Sequence, residues 1–309
     1  MKTESVHKPV LLKEVVEYLD LKPGDQIIDA TLGGGGHTLA IAEQIAPGGK
    51  VLGIEADKDF AEVTKQNIEI SKYKDNIIVV NDSYTNIENI VREHNFRPNG
   101  ILFDLGLSSW HYERSGRGFS FKRDEPLDMR FNPSTGSGQA ATEIVNTYSR
   151  EELEKIIREY GEEQFSESIA KNIVNARKVA PISKTSELVE VINNSVPFWY
   201  KKRKIHFATK TFQALRIEVN SELKNVENGV SSAINVLEHA YPEQGQKGGR
   251  LVVISFHGLE DKIVRELFKK KAKEGIVKWV VKGTIKPKWE EVKINPRSRS
   301  AKMKIVEKI

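Results

Sequence analysis

Short apolar runs and amphipathic stretches alternate through the first third of the chain. Residues 26–30 form an apolar run that ends in an acid and opens a glycine run, and the spacing that follows predicts a helix over 37–45. A Pro-Gly-Gly turn at 47–49 leads to a second β-run at 50–55. A helix over 59–71, a third strand at 77–80 and a fourth at 100–104 complete this region. Strands separated by helix-length segments predict a parallel, doubly wound α/β sheet.

The pattern changes between Trp110 and Lys204. A loop rich in Gly, Arg and Pro spans 115–138, and helix-like segments follow near 149–159, 163–177 and 186–194, with no strand signal. Alternation returns with an amphipathic segment at 209–239, a strongly apolar strand at 250–256 and a helix over 260–273. Two β-like runs, around 277–282 and 302–307, close the chain. The expected organisation is an α/β domain in two pieces, 1–112 and 209–309, interrupted by a helical module at 113–208. No internal repeat is visible.

Composition narrows the class. The chain has 309 residues, 39% hydrophobic and 29% charged, which fits a folded protein of about two domains. The absence of cysteine excludes a disulfide framework, an iron–sulfur cluster, a zinc ribbon and a catalytic thiol, and it points to a reducing, cytoplasmic setting. No histidine and carboxylate grouping shows metal spacing, so no metal is expected. The apolar runs fall far short of the roughly 20 residues of a membrane span, and the first residues lack an apolar signal region. No membrane partner is expected.

The net charge of +5 is unevenly placed. Residues 262–309 hold sixteen Lys and Arg against five Asp and Glu, a local balance of +11, leaving −6 on the rest. Such a tail is either a set of solvated faces or a surface for a polyanion.

Candidate chemistry starts at Asp29-Ala30-Thr31-Leu32-Gly33-Gly34-Gly35-Gly36-His37, at a strand-to-helix junction where backbone N–H groups face a ligand. A dinucleotide fingerprint G-x-G-x-x-G from Gly33 would need glycine where Thr38 stands. The S-adenosylmethionine loop, acid-x-G-x-G-x-G, fits Asp29, Thr31, Gly33 and Gly35 better, with threonine at the first glycine. Glu55, at the end of the next strand and 22 residues after Gly33, falls where a ribose-binding carboxylate belongs, with Asp57 as its competitor. Asp104 ends the fourth strand, where ligands of open α/β sheets bind; a turn-capping role is its alternative. Tyr84, just after the third strand, suits either an adenine face or the core.

Longer strings carry a resemblance. Arg117-Gly118-Phe119-Ser120-Phe121, Pro126-Leu127-Asp128-Met129-Arg130-Phe131, the run 206–216 beginning His206-Phe207-Ala208-Thr209-Lys210, and the run 253–261 containing Ser255-Phe256-His257-Gly258 closely resemble the MraW/RsmH family. The likeness extends from about His7 to Ile309. It implies an S-adenosylmethionine-dependent methyltransferase acting on N4 of a cytosine in small-subunit ribosomal RNA near the decoding centre. The implied fold is a Rossmann-like, mostly parallel sheet with an antiparallel strand near the C-terminus and an inserted helical domain. The implied partner is small-subunit ribosomal RNA or the small ribosomal subunit.

Carried over residue by residue, the cofactor contacts fall on Gly35, Gly36, His37, Glu55, Tyr84 and Asp104, to which the loop pattern adds Gly33. Where the family commonly has glutamine this chain has His111, after Trp110 where proline is frequent, so that contact stays open. Many amino-methyltransferases use a D/N/S-P-P-aromatic loop after strand four; here the loop reads Asp104-Leu105-Gly106-Leu107-Ser108-Ser109. The first catalytic candidate is therefore Asp104, as acceptor of an amine proton, and the second is Asp128, whose alternative is a loop anchor paired to Arg130. His257, Glu260 and Asp261 read as residues of a helix's first turn.

Candidate RNA contacts are Trp110 and Phe119 for stacking, Arg130, and Lys201, Lys202 and Arg203. The last three adjoin Phe198-Trp199-Tyr200, and such clusters either bind nucleic acid or edge a core. Two other functions remain in view: a methyltransferase for another RNA or a non-nucleic-acid substrate, and an RNA-binding assembly factor with a vestigial cofactor fold.

Overall fold

The structure is a computed structural model and describes residues 9–133, 138–239 and 247–309. Among them, β1 (Gln26–Asp29), β2 (Lys50–Glu55), β3 (Ile77–Asn81), β4 (Gly100–Asp104), β5 (Arg250–Ser255), β6 (Val277–Trp279) and β7 (Lys302–Lys308) form one sheet in the order β3-β2-β1-β4-β5-β7-β6. The pairs β3–β2, β2–β1, β1–β4 and β4–β5 are parallel, and β7 runs antiparallel to both β5 and β6. The mostly parallel sheet with an antiparallel strand near the C-terminus is the one expected.

Both faces of the sheet are covered, which is why its strands read as continuous apolar runs. Ile28, Leu52, Ile54, Ile101, Phe103, Leu251 and Val253 point into one core with Ile87, Ile90 and Phe268. The alternating neighbours Ile27, Val51, Leu102, Val252 and Ile254 point into a second core with Val15, Leu19 and Ile41. Each such burial stabilises by roughly 1.5–3 kcal/mol relative to exposure. Strand order reverses between β1 and β4, so the crevice beyond their carboxyl ends is the switch point of the sheet.

The basic C-terminal region is partly internal. Lys304 and Lys308 are buried; Lys304 pairs with Asp261, and the Lys308 ammonium donates to the Ile234 carbonyl. Lys278 and Arg250 both pair with Glu307. The other cations of this region are mostly exposed, on the helix Gly258–Lys273 and from Lys278 to Arg299. Among the described residues no helix is long and apolar enough to cross a membrane.

The chain divides into two compact units, one running to Ser108 and resuming over Leu223–Ile309, the other spanning Ser109–Glu222. The second unit is built from helices Ala141–Thr147, Arg150–Glu159, Ser166–Arg177, Thr185–Ser195 and Thr209–Val219 with shorter pieces. Its boundary lies later than the expected 208 because Thr209–Val219 packs within this unit, where Phe212 meets Phe121 edge-on at 5.4 Å. The single amphipathic segment expected over 209–239 is two helices. Asn220 ends the first by holding the Met129 and Arg216 carbonyls and accepting the Phe131 N–H. Ser221 turns left-handed at φ 49°, and Glu222–Val236 follows.

Candidate active site

The β1 loop is organised by its own acid. Asp29 is 1% exposed; its Oδ1 accepts the Thr31 N–H at 3.2 Å and its Oδ2 the Thr38 hydroxyl at 2.7 Å. Burial pushes its carboxyl up to about 6, against the lowering effect of these bonds. Gly35 caps the helix Gly36–Gln44 at φ 77°. A Cβ there would be strained and would lie 3.2 Å from Thr64 Cγ2. The Thr64 hydroxyl donates to the Gly33 carbonyl at 2.6 Å, fixing the loop from the next helix.

Glu55 and Asp57, left as competitors by spacing, have distinct places. Asp57 is the N-cap of helix Lys58–Glu69, accepting the Asp59 and Phe60 N–H groups, and is buried. Glu55 spans the crevice: Oε2 accepts the Gly33 N–H at 3.0 Å and Oε1 the Asp57 N–H at 2.9 Å. Burial pushes its carboxyl up to about 7, helped by the nearby Asp57 and Asp29 charges.

Asp104 ends β4. Its N–H donates to the Thr31 hydroxyl at 2.6 Å, and its Oδ2 lies 3.6 Å from His37 Nδ1. Among the described residues its buried Oδ1 has no hydrogen-bond partner. Burial, then the charges of Asp29, Glu260 and Glu291, hold this carboxyl well above the usual range. Tyr84 meets Phe103 of β4 edge-on at 5.4 Å. Gly229 makes room for that ring, since a Cβ there would lie 2.4 Å from Tyr84 Cδ2.

Beyond β5, Glu260 accepts the Phe256 and His257 N–H groups at 2.9 and 3.3 Å and lies 3.0 Å from His257 Nε2. Asp261 pairs with Lys304 and Lys302. These contacts lie at the start of the helix Gly258–Lys273 and against β7.

Within the second unit, Trp110, His111 and Phe119 are buried at 8%, 6% and 5% exposure. The His111 ring lies 5.4 Å from Trp110 and Phe119 and 5.3 Å from Phe131, and the Arg117 guanidinium stands 5.4 Å over Trp110. Asp128 takes Arg130 in a fork of 2.7 and 2.9 Å. Burial raises the Asp128 carboxyl, but the hydrogen bonds and charge of Arg130 outweigh it and hold the group low. Lys201, Lys202 and Arg203 end and follow the short helix Phe198–Lys201. Phe198 and Trp199 stand exposed beside them, with the Lys202 ammonium 4.9 Å over the Phe198 ring.

The first unit thus gathers Gly33, Gly35, Gly36, His37, Glu55, Tyr84 and Asp104 around the carboxyl ends of its parallel strands, while Trp110, His111, Phe119, Asp128 and Arg130 belong to the second. Thr31 and Gly229 carry no motif signal as site residues. Thr31 stood out only as a departure from the glycine pattern, and that departure supplies the hydroxyl that receives Asp104. The residues of the crevice fit a cationic nucleoside: a carboxylate beside the glycine loop and a buried carboxyl oxygen without a hydrogen-bond partner among the described residues.

A profile of the MraW methylase family matches residues 4–309. The ribosomal RNA small subunit methyltransferase H of Dictyoglomus thermophilum is 43% identical over 307 residues, 99% of this chain and 97% of the relative. That of Thermosipho melanesiensis is 46% identical over 305 residues, 98% of each. That of Clostridium botulinum is 39% identical over 322 aligned positions, 99% of this chain and 100% of the relative.

Proposed function

The chain belongs to the MraW methylase family, and on that premise we infer that it is an S-adenosylmethionine-dependent methyltransferase acting on the N4 amine of a cytosine in small-subunit ribosomal RNA. The observation that carries this reading is the orphaned Oδ1 of Asp104 at the switch point, beside a glycine loop and Glu55. S-adenosylmethionine, when bound, supplies an electrophilic methyl carbon on a sulfonium.

The backbone of Gly33, Gly35 and Gly36 and the Glu55 carboxylate hold the nucleoside, with Tyr84 as an apolar wall. The amine lone pair of cytosine is delocalised into the ring, so positioning outweighs base strength. Asp104 Oδ1 accepts a hydrogen bond from the amine, orienting its lone pair and then taking its proton. Asp128, forked to Arg130, serves the loop that carries it.

A base inside folded RNA must be splayed out, which costs a few kcal/mol that stacking and pocket contacts offset. The exposed rings of Phe198 and Trp199 offer stacking faces, and Lys201, Lys202 and Arg203 neutralise phosphates. Trp110 and Phe119, being buried, shape the second unit around Arg117. A ribosomal substrate places the protein in the cytoplasm.

The test is transfer of labelled methyl from S-adenosylmethionine to isolated small ribosomal subunits, with the modified nucleotide mapped. Incorporation at a cytosine N4 supports the reading. Tight cofactor binding with no label in ribosomal RNA, but label in another RNA or a protein, would overturn it.

A further inference from the structure

His37 is a buried imidazole to which only its place in the glycine loop has so far given a task. It is 6% exposed and sits in the first turn of the helix Gly36–Gln44. Its Nε2 lies 3.0 Å from the Val10 carbonyl oxygen. A carbonyl only accepts, so Nε2 carries the hydrogen, and in the neutral ring the lone pair is on Nδ1. That nitrogen is the one 3.6 Å from Asp104 Oδ2.

Burial favours the protonated form of the Asp104 carboxyl, and a lone protonated carboxyl can present either oxygen as a donor. Donation toward the cytosine amine would have the wrong polarity, since the amine must offer its hydrogens and keep its lone pair for the methyl carbon. An imidazole lone pair beside Oδ2 settles the choice by drawing the hydrogen to that side. The remaining oxygen, Oδ1, is then an acceptor only, and it is the one without a hydrogen-bond partner among the described residues.

We propose that His37 is a positioning residue for methyl transfer: anchored by the Val10 carbonyl, its Nδ1 shares one proton with Asp104 Oδ2 and so presents Oδ1 to the amine as an acceptor. The proposal rests on the methyltransferase reading above. As the amine lone pair forms the new N–C bond, the S–C bond breaks and its electrons stay on sulfur. The nitrogen then carries the positive charge and releases one hydrogen as a proton to Oδ1. The His37–Asp104 pair, holding one proton and no net charge before the step, holds two protons and one positive charge after it. The second proton then leaves to water.

The groups facing this pair favour that uptake. Asp29 from the β1 end, Glu260 from the helix Gly258–Lys273 and Glu291 from the helix Trp289–Ile294 act on Asp104. Glu291 also accepts the Leu11 N–H at 2.8 Å, next to the Val10 carbonyl that fixes the ring. Negative charge on these acids favours the protonated pair, and each catalytic cycle returns it to one proton.

Two measurements test this. In the first, the ring nitrogens of the unliganded protein are read by NMR after ¹⁵N-histidine labelling, with His37 assigned by His37→Gln. We expect a protonated Nε2, an Nδ1 that accepts a hydrogen bond, and a shift of the Nδ1 signal in Asp104→Asn. A ring protonated on Nδ1 alone, or an Nδ1 signal indifferent to Asp104→Asn, overturns the proposal whatever the enzyme's activity.

In the second, His37→Gln keeps an N–H for the Val10 carbonyl and lacks the ring lone pair. With S-adenosylmethionine saturating, and its affinity measured separately, kcat should fall about tenfold or more and the kcat–pH profile should move. Parent-like kcat with an unmoved profile would sink the idea. If His37→Gln fails to fold, the His37 signals are assigned by through-bond correlation in the parent, and the NMR comparison with Asp104→Asn decides alone. Failure of the methyltransferase reading itself would show separately, as a parent protein that labels no ribosomal RNA.

Discussion

The hydroxyl of Thr31 accepts the Asp104 N–H at 2.6 Å, two residues beyond the last paired positions of β1 and β4, Asp29 and Leu102. A side chain thereby extends the ladder to the residue that carries the chemistry, and it does so at the position where glycine was expected. Thr31→Val keeps the shape and removes the acceptor. Leaving that N–H without a partner costs about 1–3 kcal/mol. We expect a stability loss in this range by denaturant titration, together with weaker S-adenosylmethionine binding. A variant with parent stability and affinity would remove Thr31 from the site.

Asp104→Asn is nearly isosteric but turns one oxygen into an amide that donates and cannot take a proton. Loss of an acceptor that acts in the transition state should lower kcat by about 10²-fold or more. Melting temperature should stay near that of the parent or rise, because a buried carboxyl with an unpartnered oxygen is replaced by a neutral group. Full turnover with unchanged cofactor affinity would exclude the role given to Asp104.

Burial raises the carboxyls of Asp29 and Glu55 from 3.8 and 4.5 to about 6 and about 7, and that of Asp104 well above its usual range. The folded chain therefore holds protons that the unfolded chain has released. Their contribution to stability is fully present below the unfolded values and is lost as pH rises through the folded ones, on the order of 2–3 kcal/mol for each of the first two. Chemical denaturation of the unliganded protein at a series of pH values should show this decline toward neutrality. Cofactor binding should have the opposite sense. The ionised Glu55 is the better acceptor for ribose hydroxyls, so affinity should rise with pH through about 7 with proton release. Calorimetric titration in buffers of different protonation enthalpy reads that release directly, and equal heats would contradict it.

Reversal of Lys201, Lys202 and Arg203 to glutamate should weaken RNA binding and flatten its dependence on salt. Three lost phosphate contacts on a single strand correspond to a slope reduced by about 2 in log K against log salt. Affinity for S-adenosylmethionine should not change. An unaltered slope would show that this cluster lies outside the RNA footprint.

Gly229→Ala should act on the cofactor site without touching it. Its Cβ would come 2.4 Å from Tyr84 Cδ2, so the ring must move or the helix must shift, at a cost of about 1–3 kcal/mol. We expect lower stability and weaker S-adenosylmethionine binding, measured by calorimetry, with the binding loss partly relieved in Gly229→Ala/Tyr84→Leu. Parent-like binding in the single variant would free Tyr84 of any cofactor role.

Much of the fold was legible because its signals are local. The five parallel strands β1 to β5 lie within a few residues of their expected places, since buried parallel strands must be short and apolar on both faces. Helices Leu12–Leu19 and Ile87–Glu93 have no comparable local signal; each is short, and its apolar positions have meaning only against the sheet it covers. The break at Asn220 was missed for a related reason. Nothing in an amphipathic stretch shows that one asparagine side chain will find the Met129 carbonyl and the Phe131 N–H, 91 and 89 residues away in sequence.

By itself the sequence determined the strand–helix alternation, the acid-glycine loop, the two acids at strand ends and the family strings, because each is written in neighbouring residues. Only the tertiary structure decided which of Glu55 and Asp57 faces the glycine loop and which caps a helix. It also decided that Lys304 and Lys308 of the basic tail are internal, and that one oxygen of Asp104 looks to His37 while the other has no hydrogen-bond partner among the described residues. Those outcomes depend on which groups the fold brings within about 3–4 Å of one another and removes from water. Hydrogen bonding and desolvation act at that range, across separations in the chain that no local pattern records.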